Sequence, residues 1–254
     1  MALSGTNDRL TRRGMTLGSG APKICVPVMG SNEGEVLSSA DAARLCNPDL
    51  IEWRIDFLSD LSQKSVDNIL VQLRQKFPHT PLLVTFRSLA EGGERQLDQD
   101  SYVNLLSRVI VSGQADLVDV ELFSGVMEPL VETAHRHGVT VVGSSHDFVR
   151  TPDEGELVAR MEQMVAMGCD IPKLAVMPQS PQDVLILLSA TQIMKELHPE
   201  VPLITMSMGT MGMVSRLCGE VFGSAVTFGC AGQNSAPGQV PVKELREILK
   251  LLHG

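Results

Sequence analysis

The chain of 254 residues is long enough for one large domain or two small ones, and 43% of its residues are hydrophobic, enough to fill a substantial core. Its formal net charge of −9 argues against nucleic acid as the main partner, although a local cluster of arginines could still hold a small anionic substrate. No apolar run approaches the roughly 18 residues that a membrane span requires, so we expect no membrane partner.

The cysteines are five in number, scattered along the chain, and without a C-x-x-C pair. This pattern predicts reduced thiols in a cytoplasmic protein rather than a disulfide framework or a zinc site. No pair of histidines or cysteines has the spacing of metal ligands, so the sequence predicts no metal.

Strand patterns and helix patterns alternate along most of the chain. Residues 1–20 are expected to form a surface lead-in, with a short hairpin, ahead of one domain over 21–254. The predicted strands cover 23–29, 50–56, 81–87, 117–122, 140–146, 171–177, 202–208 and 225–231. The predicted helices cover 35–46, 66–76, 98–112, 126–137, a segment that begins at Thr151 as N-cap, 182–197, 214–221 and 242–252.

Strands that each precede a helix, without long linkers, predict a parallel sheet of the α/β class. Closed on itself, such a sheet is a (β/α)8 TIM barrel, and the alternative is an open, doubly wound sheet. The repeat reaches eight strands and no G-x-G-x-x-G follows the first of them, and both facts favour the barrel.

Charged residues recur on one face of the predicted strands. Residues two apart share a face, so Glu52, Arg54 and Asp56 face one way while their neighbours form an apolar outer face. On the fourth strand Asp119 and Glu121 share a face in the same way. Similar side chains stand near the C-terminal ends of several strands, where barrel active sites lie, namely Arg54, Arg87, Glu121, His146 and Lys173.

Lys173 lies inside a short apolar run between Pro172 and Pro178. It could extend its ammonium group into water at the strand end, or it could be buried. Burial disfavours the charged form of an amine, and a neutral amine is a nucleophile toward carbonyls. With His146 as a proton shuttle, the chemistry that fits is imine formation on a small keto or aldehyde acid, followed by proton abstraction.

A glycine-rich segment, Gly209-Thr-Met-Gly-Met-Val-Ser-Arg216, opens the seventh predicted helix. Backbone amides at a helix N-terminus and the charge of Arg216 favour an anion, which could be a phosphate or a carboxylate. The segment after the eighth strand, 232–239, is expected to form a polar lid in which Ser235 and Gln239 bind hydroxyl groups.

Nine ordered motifs between about residue 21 and the C-terminus carry a family resemblance. They are Glu52-Trp-Arg-Ile-Asp56, Thr85-Phe-Arg87, Glu91-Gly-Gly-Glu94, Ser145-His-Asp-Phe148, Asp170-Ile-Pro-Lys-Leu-Ala-Val-Met-Pro178, Met206-Ser-Met208, Ser215-Arg216, Phe222-Gly-Ser224 and Ser235-Ala-Pro-Gly-Gln239. The set resembles type I 3-dehydroquinate dehydratase. The resemblance implies a (β/α)8 barrel, a homodimer without metal or organic cofactor, and the dehydration of 3-dehydroquinate to 3-dehydroshikimate in the shikimate pathway.

The resemblance also implies residue roles. Lys173 would form the Schiff base with the substrate ketone, His146 would be the general base and acid, and Glu91 would pair with His146. Arg216 would bind the substrate carboxylate. The remaining implied substrate contacts are Glu52, Arg54, Arg87, Ser235, Gln239, Met206 and Phe228.

Three positions depart from the family pattern. Pro27 stands where some members carry a serine. Ser144 and Leu89 stand where other members often have an asparagine, a lysine or a similar residue, and both are expected to be peripheral. Two other functions fit the residues taken without the resemblance. One is a class I aldolase that acts on a phosphorylated sugar, and the other is a non-catalytic barrel that binds a carboxylated ligand.

Overall fold

The computed structural model describes residues 10–232 and 235–253, in which strands and helices alternate. The strands are β1 (Thr11–Arg12), β2 (Met15–Thr16), β3 (Lys23–Val28), β4 (Leu50–Arg54), β5 (Leu82–Thr85), β6 (Leu117–Glu121), β7 (Thr140–Asp147), β8 (Ile171–Val176), β9 (Ile204–Ser207), β10 (Val226–Cys230) and β11 (Val240–Pro241). The helices are α1 (Glu33–Leu45), α2 (Gln63–Lys76), α3 (Gln99–Val111), α4 (Met127–Arg136), α5 (Glu154–Ala166), α6 (Pro181–Leu197), α7 (Gly209–Phe222) and α8 (Val242–His253).

The main sheet is parallel and curls until its two sides meet. Its strand order is β11-β10-β3-β4-β5-β6-β7-β8-β9. A parallel bridge between Leu203 and Ser224 joins the β9 side to the β10 side, and the amide of Ala225 donates to the carbonyl of Leu203 at 2.7 Å. Strands β3 to β10 therefore close into a barrel, which confirms the predicted (β/α)8 fold over the open sheet.

The barrel has an inner and an outer apolar layer, as the strand alternation predicts. Ile51, Trp53 and Ile55 are fully buried between the sheet and the helices. The inner layer near the N-terminal ends of the strands contains Leu50, Leu83, Leu117, Val142 and Ile171. Above this apolar floor, the inner positions of the same strands carry the charged side chains.

The end of the lead-in covers the bottom of the barrel. Strands β1 and β2 form the expected hairpin, and Leu17, which is 2% exposed, packs into the inner apolar layer. Arg13 Nε donates to both carboxylate oxygens of Asp116 at 3.0 Å. The first nine residues of the predicted lead-in lie outside the described residues.

Several predicted helix starts are wrong. Helix α2 begins at Gln63, three residues before the predicted start, and the starts of α5 and α7 also differ. Helix α5 begins at Glu154 because Asp153, not Thr151, is the N-cap, and its carboxylate accepts the amide of Glu156 at 2.8 Å. Helix α7 begins at Gly209, five residues earlier than predicted. Gly212 lies within this helix. A Cβ at this position would lie 2.3 Å from the carbonyl oxygen of Ser207, so glycine allows the helix to pack closely on β9.

The predicted second and third strands are shorter than expected. Strand β4 ends at Arg54 and β5 ends at Thr85, and short 3-10 turns follow at Ile55–Phe57 and Leu89–Glu91. These turns place polar side chains at the mouth of the barrel. No helix in the described part of the chain is long and apolar enough to cross a membrane.

Candidate active site

A cavity that is open to solvent lies at the C-terminal ends of the barrel strands, and its empty space, counted with the open solvent at its mouth, is about 450 Å³. All the residues that the sequence analysis assigned to the site line it, namely Glu52, Arg54, Arg87, Glu91, His146, Lys173, Met206, Arg216, Phe228, Ser235 and Gln239. Gly92, Phe148, Ala175, Met208 and Ala236 complete the wall. The structure therefore brings residues from distant parts of the sequence into one cavity.

Lys173 extends into the barrel from β8 and is only 4% exposed, so it does not reach out into bulk water. Its Nζ lies 3.2 Å from Asp119 Oδ2 and 3.4 Å from Glu52 Oε1. The ring of Phe228 lies 4.8 Å from the same nitrogen. The amine is buried as expected, but it has two carboxylate partners instead of purely apolar surroundings.

His146 and Glu91 form a buried pair beside the amine. Glu91 Oε2 lies 2.8 Å from His146 Nδ1 and also accepts the backbone N–H of His146 at 3.0 Å. A backbone amide can only donate, so Oε2 accepts this N–H, and a carboxylate oxygen can accept a second N–H as well. We therefore assign the proton to Nδ1, which leaves the lone pair of Nε2 available as a base.

Burial and neighbouring charges shift the pKa of both members of this pair. Burial, together with the positive charges of Arg87, Lys173 and Arg54, holds the pKa of His146 well below its usual range. Burial also raises the pKa of Glu91 to about 8, against the opposing effect of Arg87. The cavity therefore keeps the imidazole neutral, which is the form that a general base requires.

Arg87 is held inside a cluster of acidic residues. Its guanidinium donates to Asp119 at 2.8 Å, Glu121 at 3.0 Å and Glu91 at 3.4 Å, and to Ser144 Oγ at 2.9 Å. Although burial alone would lower the pKa of Arg87, these carboxylates raise it. Most of its N–H groups thus donate to protein side chains. Arg87 therefore lines the cavity and also holds the neighbouring carboxylates in position.

Arg54 is fixed in a similar way. Its Nε and Nη2 donate to the two carboxylate oxygens of Asp56 at 2.8 and 2.7 Å, in the bidentate geometry that holds a guanidinium firmly. Asp56 also accepts the amides of Arg87 and Glu94 at 3.3 and 3.2 Å. This carboxylate therefore ties the end of β4 to the loop after β5.

Arg216 differs from the other two arginines of the cavity. It is 2% exposed, and its hydrogen bonds go to Met206 Sδ at 3.4 Å and to the carbonyl of Pro237 at 3.1 Å. Within the described ranges, its Nε has no hydrogen-bond partner and its guanidinium has no carboxylate within 4.0 Å. Burial lowers the pKa of Arg216 to about 10. A buried cation without a paired charge is unfavourable, so this position favours the binding of an anion.

The segment after β10 lies against the start of α7. Ser235 and Gln239 bond to each other twice, with the backbone N–H of Ser235 donating to Gln239 Oε1 and Gln239 Nε2 donating to Ser235 Oγ, both at 2.9 Å. The carbonyl of Pro237 accepts the amide of Gly209 at 3.2 Å. Residues 233–234 of the predicted lid lie outside the described residues.

Three residues of the charge network were not predicted as site residues. Asp56 and Asp119 were recognised as inward-facing but given no role, and Ser144 was expected to be peripheral. Ser144 is fully buried and donates to Asp119 at 2.6 Å, so that expectation is wrong. The alternation of β6 marks Asp119 as inward-facing, but its partners come from β5, β7 and β8 and cannot be identified from one strand.

The arrangement can bind an anion, form an imine and move protons with one histidine. Among the described residues, no group of three or more His, Cys, Asp or Glu side chains is arranged to hold a metal ion.

Comparisons with known proteins agree with the geometry. The family model described as type I 3-dehydroquinase matches residues 24–254. A 3-dehydroquinate dehydratase of Clostridioides difficile (strain 630) is 47% identical over 244 residues, which cover 95% of this chain and 96% of the relative.

Solved structures give the same result. A type I 3-dehydroquinate dehydratase from Clostridium difficile, with covalently modified comenic acid, has a TM-score of 0.91 and 46% identity, over 95% of this chain and 96% of that one. A 3-dehydroquinate dehydratase from Geobacillus kaustophilus HTA426 has a TM-score of 0.91 and 41% identity, over 94% of both chains. This chain therefore belongs to the type I 3-dehydroquinase family.

Proposed function

We propose that this chain is a lyase that dehydrates 3-dehydroquinate to 3-dehydroshikimate, in the shikimate pathway, through a Schiff base on Lys173. The observation that carries the proposal is the cavity itself. It combines a buried amine, a neutral imidazole oriented by a glutamate, and a buried arginine that has no carboxylate partner among the described residues. Family membership supports the reaction, and the geometry of the cavity supports the proposed roles of its residues.

The chemistry begins with attack of the free amine of Lys173 on the ring ketone. Nε2 of His146 takes the proton that the Lys173 ammonium group gives up before the attack and returns it to the carbinolamine hydroxyl. That hydroxyl leaves as water, and the resulting iminium ion draws electrons from the neighbouring C–H bond. Nε2 of His146 removes the C2 proton, the electron pair forms the new double bond, and the C1 hydroxyl leaves as water with the proton that His146 returns. Because His146 both removes the C2 proton and protonates the C1 hydroxyl, the two groups leave from the same face of the ring and the elimination is syn. Water then hydrolyses the iminium and frees Lys173.

We assign substrate binding to the remaining cavity residues. Arg216 binds the substrate carboxylate, since it is buried and its guanidinium lacks an acidic partner in the described part of the chain. The polar contacts to the ring hydroxyls come from Glu52, Arg54, Arg87, Ser235 and Gln239. The apolar walls are Met206 and Phe228.

The alternative functions fit the site less well. A class I aldolase acting on sugar phosphates would need more positive charge than Arg216 supplies, since Arg54 and Arg87 are already paired with carboxylates. A non-catalytic binding barrel would need neither a buried lysine nor a histidine oriented by Glu91.

The proposal extends to assembly and location. We propose that the chain acts without a metal or organic cofactor, as a homodimer in the cytoplasm, because the resemblance implies the first two and the unpaired thiols fit the third. All five cysteines are free, and three of them are buried. Light scattering on the purified chain measures its mass, and a monomer at micromolar concentration would contradict the dimer.

Turnover of 3-dehydroquinate tests the proposed reaction. The conjugated product absorbs ultraviolet light, so its formation can be followed continuously. We expect Lys173→Ala to lose roughly 10⁴-fold or more in kcat. The control is Lys64→Ala, because Lys64 is an exposed lysine on α2. An undiminished rate in Lys173→Ala, or no turnover by the native chain, would contradict the proposal.

A further inference from the structure

Asp119 is a buried carboxylate next to the reacting nitrogen, and the proposed mechanism gives it no role. It lies on β6 and has no exposed surface. One oxygen, Oδ2, lies 3.2 Å from Lys173 Nζ and accepts Arg87 Nη2 at 2.8 Å. The other oxygen accepts Ser144 Oγ at 2.6 Å. Each carboxylate oxygen of Asp119 therefore has a fixed donor.

These donors keep Asp119 ionised. Burial by itself raises the pKa of an aspartate, but here Arg87, Lys173 and Ser144 outweigh burial and hold the pKa of Asp119 below its ordinary value. Arg87 is in turn fixed by Glu121 at 3.0 Å. The result is a permanent negative charge whose position is set by two neighbouring strands and the loop after β5.

Asp119 differs from Glu52, the second carboxylate at Nζ. Glu52 lines the cavity and is therefore available to substrate, whereas Asp119 is not among the residues that line it. The other titratable groups around Nζ are Cys25 on β3, His146 on β7 and Arg87 after β5. In the described part of the site, the carboxylates at the nitrogen are thus Glu52 and Asp119. A bound ring can engage Glu52, whereas Asp119 stays beside the nitrogen.

We propose that Asp119 is the counter-ion of the Lys173 iminium ion and keeps the imine nitrogen protonated during elimination, an inference that rests on the proposed Schiff base. A protonated imine withdraws electrons strongly, whereas a neutral imine does so weakly. The single N–H of the iminium donates to Asp119 Oδ2. No proton is consumed, because Asp119 stays ionised while His146 transfers the proton of the reaction.

The pH dependence of turnover tests the proposal. At alkaline pH the iminium loses its proton and kcat falls. Asp119→Asn removes the charge at the nitrogen while keeping the size of the side chain. We expect the alkaline limb of kcat to move to lower pH by about 1–3 units, as is usual when an opposite charge is lost at this distance. Borohydride should still trap the substrate on this variant near neutral pH, since the nucleophile is intact.

Glu121→Gln is the matched control. It removes another carboxylate of the Arg87 cluster, but one that has no hydrogen bond or ion pair with Lys173. Its alkaline limb should stay at the wild-type pH. An unmoved limb in Asp119→Asn, or an equal shift in Glu121→Gln, would overturn the proposal. If the wild type itself gives neither turnover nor trapped substrate, the Schiff base fails instead.

Ser144→Ala provides a second variant if circular dichroism finds Asp119→Asn unfolded. It keeps the carboxylate but removes its 2.6 Å hydrogen bond. We expect a smaller shift of the alkaline limb, in the same direction. A limb that coincides with that of the wild type in this variant would count against the counter-ion role.

Discussion

The two nitrogens of His146 have different tasks because Glu91 fixes one of them. Nδ1 is held by an oxygen that also accepts the backbone amide, so Nε2 faces the cavity as the base. This arrangement works only while the ring is neutral. Burial and three neighbouring cations favour that state, because they hold the pKa of His146 below 6.5.

The first prediction concerns the acid limb of kcat/KM. Protonation of His146 removes the base, so activity falls as pH falls through the pKa of the imidazole. Because that pKa is lowered, we expect the midpoint of the limb below pH 6.5, the ordinary value for histidine. Initial rates at low substrate concentration, between pH 4.5 and 8, measure it. A midpoint at or above 6.5 would contradict the proposed electrostatics.

The second prediction concerns Arg216. Arg216→Met keeps an unbranched side chain but removes the buried charge, so substrate binding should weaken by at least about 30-fold in KM, since truncating one partner of a buried ion pair costs roughly 2–5 kcal/mol. The KM of Arg216→Lys should lie between those of the wild type and Arg216→Met, because lysine has the charge but not the planar guanidinium group. The control is Arg246→Met, whose guanidinium pairs with Asp49 on the surface. Equal KM values in all variants would refute the carboxylate contact.

For single residues, the sequence indicates side chains whose type suits the chemistry, but it does not indicate the charges that surround them. Lys173 and His146 stand out because of their position on predicted strands, and Arg216 because it follows a glycine-rich segment at the start of a predicted helix. Asp119 and Ser144 do not, since an aspartate or serine is common in any strand end. Their importance depends on the register of three adjacent strands, which pairs Ser144 with Lys173 and with Glu121.

At the scale of elements, two loops hold the catalytic pair together. The turn that carries Glu91 ends at Gly92, whose φ is +81°, and the loop after β7 carries Phe148. A Cβ at Gly92 would lie 2.3 Å from the ring of Phe148. The close contact of these loops therefore fixes the distance between Glu91 and His146.

The third prediction follows from this contact. Gly92→Ala must displace Phe148 or the turn, so we expect a loss of about 10-fold or more in kcat together with lower stability. Gly113→Ala is the matched control, because Gly113 also has a positive φ, +67°, but a Cβ there has nothing within 4 Å. That variant should lose only about 1–2 kcal/mol of stability and keep its kcat. Equal kcat values in the two variants would contradict the account.

The elements themselves were predicted better than their ends. All eight barrel strands and their helices were confirmed, because alternating apolar patterns determine them locally. The starts of α5 and α7 were wrong for different reasons. At α5 Thr151 was predicted as the N-cap, whereas Asp153 caps the helix. At α7 the glycines indicate a loop in sequence, whereas Gly212 serves close packing on β9.

At the scale of the whole molecule, the barrel is built from an apolar floor and a charged mouth. We propose that residues 21–254 form the catalytic domain, and that the described end of the lead-in completes its floor through Leu17. The sequence indicated a hairpin but not its position, because contacts such as Arg13 with Asp116 join residues far apart in the chain.

The fourth prediction tests this floor. Leu17→Ala leaves a cavity in the inner layer, and we expect a loss of about 2–5 kcal/mol in the free energy of unfolding. Leu45→Ala is the control, since Leu45 is 86% exposed and Leu17 only 2%. Urea unfolding followed by the fluorescence of Trp53, the single tryptophan, measures both variants. Similar midpoints would mean that the hairpin adds little to the barrel.

The central claim is that substrate becomes covalently attached to Lys173. Reduction with borohydride in the presence of 3-dehydroquinate, followed by peptide mass mapping, tests it directly. We expect the mass of a reduced ligand adduct on the peptide that contains Lys173, and no adduct in Lys173→Ala treated in the same way. An unmodified native chain, or an adduct on another lysine with Lys173 left free, would contradict the claim.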